Sequence, residues 1–140
     1  MTSSQEAQSP SDPLESLLID AAEVDRNRIA DTLKDLIAID ANSGSVVFRP
    51  TSRRLDARQK ILCYLLGRKV SYLLNRSESE AAKPKTVIEE TGMASGTVHP
   101  ALKGLRENRL VSQAEDGAYL VAGHQIHDAL ELIRAEGDTP

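Results

Sequence analysis

Between Asp12 and Ile37 the apolar positions fall three and four residues apart, with Leu14, Leu17, Leu18, Ala21 and Ala22 on one stripe and Ile29, Leu33, Leu36 and Ile37 on a second. That period predicts helix. Asp12 is placed to cap the first stripe, Pro13 suits an opening helical position, and Glu15 completes a capping-box-like start. Asn42-Ser43-Gly44 breaks the pattern. Ser45 to Arg49 then predicts a short strand closed by Pro50, able to pair with Ile37 to Asp40 or to add an edge to a later hairpin. Leu55 to Asn75 carries Ile61, Leu62, Leu65, Leu66, Val70, Leu73 and Leu74, more apolar surface than one small motif needs, and predicts the longest helix. After Gly123, Ile126, Ala129, Leu130 and Ile133 predict a C-terminal helix.

The segment from Lys83 to Val121 is the most informative. Pro84 marks the start of a helix and Gly92, able to take the left-handed conformation, marks its end, with Val87, Ile88 and Thr91 on one face. Ser95 or Thr97 can cap the next helix through its hydroxyl, and Thr97 is favoured because Pro100 then falls in the first turn, where no intrahelical bond is lost. Val98, Ala101, Leu102, Leu105 and the stem of Arg109 form a stripe that must face a core. Beside it, His99, Lys103 and Arg106 fall within about 60° of one another, close enough to reach one strip of phosphates or base edges. Leu110-Val111 and Tyr119-Leu120-Val121 predict a hairpin, with Asp116-Gly117 as a two-residue type I′ turn. Helix, turn, helix and hairpin in that order make a winged helix-turn-helix.

The run Ser95 to Val111, SGTVHPALKGLRENRLV, resembles the recognition helix and the start of the wing in winged-helix transcriptional regulators, most nearly the PadR-like group. His99 stands where those proteins usually have tyrosine, and Asn108-Arg109 where they usually have a glutamate-glycine pair. Asn108 can itself adopt the left-handed conformation, which preserves the expected turn. The resemblance covers about a quarter of the chain and implies DNA binding by the second helix.

The distribution of charge along the chain is more informative than its net value. The chain carries −4 overall, but residues 1–40 hold nine acids and three bases, residues 41–109 six acids and thirteen bases, and residues 110–140 six acids and one base. A basic face can act locally because remote charge is screened beyond about 10 Å at 0.1 M salt. The opposite outcome is that acidic ends cover the basic middle. Glu115 and Asp116 make the wing tip acidic, which argues against its insertion into a minor groove. Among the basic residues near the long helix, Arg53 and Arg54 could touch DNA backbone, whereas Arg68 and Lys69 read as solvated charge.

Other chemistry is sparse. Cys63 lies inside an apolar run and reads as a buried side chain, with no cysteine partner in the chain. His124 and His127, three apart, lack a third metal ligand at useful spacing. Ser95, His99, Glu89 and Glu90 match no nucleophile arrangement, and no phosphate-binding glycine loop is present, so no enzymatic activity, metal or cofactor is expected. No apolar run approaches the roughly 18 residues of a membrane span, and the polar N-terminal segment lacks a signal-peptide core, so a cytoplasmic location is expected.

The chain is therefore expected to be mainly α with a small β-hairpin wing: a winged helix-turn-helix with extra N- and C-terminal helices. Residues 1–11 would form a disordered tail, 12–50 the N-terminal helices and short strand, 51–123 the winged-helix DNA-binding domain, and 124–140 the C-terminal helix and tail. Thr97, His99, Lys103 and Arg106 are expected to face the major groove of double-stranded DNA, with Lys85, Thr86, Ser95 and Gly96 on backbone phosphates. The function implied is sequence-specific transcriptional regulation, and the alternative is a winged-helix adaptor that binds protein. Surplus apolar stripes near both termini suggest a homodimer, which would set two recognition helices about 34 Å apart. The competing arrangement packs those stripes within one chain.

Overall fold

The computed structural model describes residues 12–18 and 21–135, and the tail expected over residues 1–11 lies outside them. The fold is mainly helical. Its helices are α1 (Ala21–Leu33), α2 (Ala57–Leu73), α3 (Pro84–Thr91), α4 (Ser95–Glu107) and α5 (Ile126–Arg134). Two antiparallel hairpins join them, β1 (Ile37–Ile39) with β2 (Val46–Phe48) and β3 (Ser112–Gln113) with β4 (Tyr119–Leu120).

The central element is α2, whose Ile61, Leu62, Tyr64, Leu65 and Leu66 are fully buried, as expected of a helix that is apolar on more than one side. It begins with a complete capping box: Asp56 accepts from the Gln59 N–H, and the Gln59 side chain accepts from the Asp56 N–H. Gln59 also closes a second helix end, because its amide nitrogen donates 2.9 Å bonds to the carbonyls of Leu132 and Ala135 at the end of α5. One buried side chain thus satisfies backbone groups at two helix termini. The β1–β2 hairpin, in register Ile37↔Phe48 and Ile39↔Val46, lies against α2 at Gly67. A Cβ there would stand 2.8 Å from Val46 Cγ2 and 2.9 Å from Ile37 Cδ1, so the missing side chain sets the approach of the hairpin. Of the two pairings open to the Ser45–Arg49 strand, it takes the one with Ile37–Ile39.

The terminal helices pack within the chain. Ile29 and Leu33 of α1 and Ile126, Ala129, Leu130 and Ile133 of α5 are buried in the common core. Arg28 donates to His127 Nδ1 at 2.7 Å, and Arg134 to Thr32 Oγ1 at 3.1 Å. The first expected stripe behaves differently. Pro13–Leu17 forms a single 3-10 turn, capped by Asp12 through a 2.9 Å bond from the Leu14 N–H, and none of its residues is buried. Leu14, Leu17 and Leu18 are 68%, 75% and 76% exposed. The second stripe is also cut short: α1 stops at Leu33, and Ile37 is already in a strand.

Arg68 and Lys69, expected to be solvated, instead fasten the connection between α2 and α3. Lys69 is 8% exposed with its Nζ 2.5 Å from Glu80 Oε1, while Arg68 donates to the carbonyls of Glu80 and Ala81 and lies 4.0 Å from Glu90. Held this way, Ala82 exchanges two backbone hydrogen bonds with Tyr119, so the connection between α2 and α3 adds a one-residue third strand to the β3–β4 hairpin. Among the described residues no helix is long and apolar enough to cross a membrane.

Candidate nucleic-acid interface

The α3–turn–α4 unit is built as the sequence pattern requires, with two local corrections. Pro84 sits in the first turn of α3, and Gly92 closes it at φ 75°, its N–H bonded to Ile88 O. The next helix starts earlier than the Thr97 cap would allow. Ala94 is the extended N-cap residue, no side chain caps the helix, and Pro100 lies inside α4. The cost is one backbone bond, since Pro100 has no N–H for the Gly96 carbonyl, and Gly96 is exposed so that water can serve that oxygen.

Val98, Leu102 and Leu105 are buried and pin α4 to the core. Outside that stripe Ser95, Gly96, Thr97, His99, Lys103 and Arg106 are all exposed. At about 100° per residue, Ser95, Arg106, His99, Lys103 and Gly96 occupy one strip, whereas Thr97 lies about 120° round the axis from Lys103 and reaches outward only near the helix start. On α3, Lys85 is exposed and Thr86 half-buried.

The ion pairs among the described residues are Arg68–Glu90 and Lys69–Glu80, so neither Lys103 nor Arg106 is neutralised by a carboxylate there. Arg106 does have a neutral partner, which the sequence pattern could not indicate. Its Nη1 donates to Gln113 Oε1 at 3.1 Å, and the Gln113 amide donates to Gly117 O at 3.3 Å, so the hairpin steadies the guanidinium without cancelling its charge. Of the two acids on the neighbouring helix, Glu90 is engaged elsewhere: it accepts from the Tyr64 hydroxyl at 2.5 Å. Burial first, and then that hydrogen bond, hold the Tyr64 pKa well above the usual phenol range.

Two turns differ from expectation. Gly117 is at φ 91° but neither Glu115 nor Asp116 has positive φ, and Gly117 N–H bonds to Ala114 O, so the hairpin closes by a type I turn followed by a left-handed glycine, not by a type I′ turn. At the end of α4 the left-handed residue is Arg109, at φ 63°, and not Asn108, at φ −89°. Leu110 N–H bonds to Leu105 O and Arg109 N–H to Arg106 O, the paired bonds of a Schellman motif whose fifth position is usually glycine. Arg109 therefore leaves the apolar stripe and is exposed.

Elsewhere, Cys63 is buried and burial raises its thiol pKa to about 12. His127 is engaged with Arg28, and no cluster of three metal-ligating side chains occurs among the described residues. No family model, curated protein or solved structure matches the chain.

Proposed function

We propose that the protein is a sequence-specific double-stranded-DNA-binding transcriptional regulator, in which α3 and α4 act as a helix-turn-helix and the β3–β4 hairpin as its wing. The observation that carries this reading is the solvent-facing strip of His99, Lys103 and Arg106 on a helix whose adjoining stripe, Val98, Leu102 and Leu105, is buried in the core. A rigid cationic strip can enter a major groove, where arginine and lysine read guanine edges. Lys85, Thr86, Ser95, Gly96 and Thr97 lie toward the N-terminal ends of the two helices, positions from which hydroxyl, ammonium and backbone N–H groups hold phosphates. A homodimer is part of the proposal, because a second recognition helix doubles the contacts per site.

The exposed acidic wing tip, Glu115 and Asp116, favours a second reading, a winged-helix adaptor that docks a basic protein surface. Fluorescence polarisation with a pool of randomised 30-base-pair duplexes separates the two. For a DNA binder, affinity falls with rising salt at a log-log slope of about −0.9 per phosphate neutralised. Lys103→Glu with Arg106→Glu is expected to abolish binding while leaving the melting temperature near that of the parent. Binding equal to the parent's in that variant sinks the helix assignment, and absence of any binding by the parent at 50 mM salt leaves the adaptor.

A further inference from the structure

An apolar groove of about 360 Å³ opens between α1, β1 and the end of α2. Ile29, Leu33 and Val70 line it, and Leu73 and Leu74, 38% and 50% exposed, flank it. Arg26 and Lys34 also line it, and both are exposed, so the rim is cationic. The same chain displays a segment with the complementary character. Leu14, Leu17 and Leu18 are exposed; Leu14 and Leu17, three apart, share one face of the 3-10 turn, Leu18 follows it in extended conformation, and Asp12 and Glu15 are acidic. Apolar anchors with acidic neighbours fit an apolar groove with a basic rim.

We propose that this groove is the homodimer seat and receives the Asp12–Leu18 turn of a second copy, each copy filling the other's groove about a two-fold axis. Within one chain the segment does not enter its own groove: the groove stands open while Leu14, Leu17 and Leu18 remain exposed, so both surfaces are left for a second copy. Asp12 and Glu15 of one copy then face Arg26 and Lys34 of the other. The proposal deepens the dimeric part of the reading above but uses elements outside α3 and α4, so its test is run without DNA and its failure leaves the DNA reading standing.

The test is sedimentation of the full-length chain at micromolar concentrations. The parent is expected to dimerise, and Leu14→Ser/Leu17→Ser/Leu18→Ser, which alters exposed side chains only, to weaken the dimer by about tenfold per leucine. Glu15→Lys is expected to weaken it as well, and adding Arg26→Glu and Lys34→Glu to restore it. To separate the two copies, Leu17→Cys/Leu73→Cys is oxidised and run on a non-reducing gel, Cys63 being buried. A disulfide-linked dimer supports the exchange. A linked monomer, a parent that stays monomeric up to 100 times the protomer concentration at which DNA binding is assayed, or a triple-serine variant as dimeric as the parent overturns it.

Discussion

Replacing Arg109 by glycine is expected to stabilise the protein. Arg109 is held at φ 63° by the two Schellman bonds at the end of α4 and by the Gln125 amide, which donates to its carbonyl at 3.2 Å, so the backbone cannot relax to a commoner conformation. A side chain in the left-handed region costs about 1–2 kcal/mol. Glycine removes that cost but gives up about 0.5–1 kcal/mol through its greater freedom in the unfolded chain. The net gain is about 0.5–1 kcal/mol, or a rise in melting temperature of about 2–4 °C for a chain of this size. Thermal melts followed by circular dichroism, together with urea midpoints, measure it. Arg109→Ala is the control, since it removes the same charge and stem but keeps the Cβ. Arg109→Gly melting at or below Arg109→Ala would refute the strain argument.

Gly67→Ala should destabilise by about 1–3 kcal/mol, because the added methyl drives into Val46 and Ile37 and outweighs the gain in helix propensity; an unchanged or higher urea midpoint would show that the hairpin can retreat freely. Gln59→Ala, which removes the acceptor of the Asp56 N–H at the start of α2 and the donor to two carbonyls at the end of α5, should cost about 2 kcal/mol and raise hydrogen exchange at the C-terminal end of α5. Cys63 should resist a thiol reagent until the protein unfolds. Its folded-state pKa lies above the unfolded value of about 9, and Tyr64 is shifted in the same direction. Their contribution to stability is therefore complete below pH 9 and lost as pH rises toward 12, and Cys63→Ala should flatten part of that decline in pH-dependent melts.

The parts of the fold legible in the sequence are those written in a long period. The buried face of α5 is the set Ile126, Ala129, Leu130 and Ile133 that its spacing marks, and α2 and the buried stripe of α4 follow the same rule. The exposure of His99, Lys103 and Arg106 follows from that stripe, since the angle around a helix is fixed once one face is buried. Features carried by a single residue were illegible. The Ala82–Tyr119 pairing spans one residue and leaves no alternation. Lys69 has the same composition signature whether solvated or paired, and only the fold of residues 76–82 brings Glu80 to it. Which of Asn108 and Arg109 turns left-handed depends on where α4 stops, and an intrinsic preference for Asn was overridden by the register of the closing bonds. Gln113, the partner of Arg106, is set by hairpin geometry that its neighbours in sequence do not encode.

The claim on which the functional account depends is that the cationic strip of α4 reads DNA. The most direct measurement is repeated selection of a random duplex library on the parent protein and on Lys103→Glu/Arg106→Glu, followed by sequencing. A defined, enriched motif is expected with the parent and none with the variant. Equal enrichment from both proteins, or no enrichment from a folded parent at low salt, would contradict it.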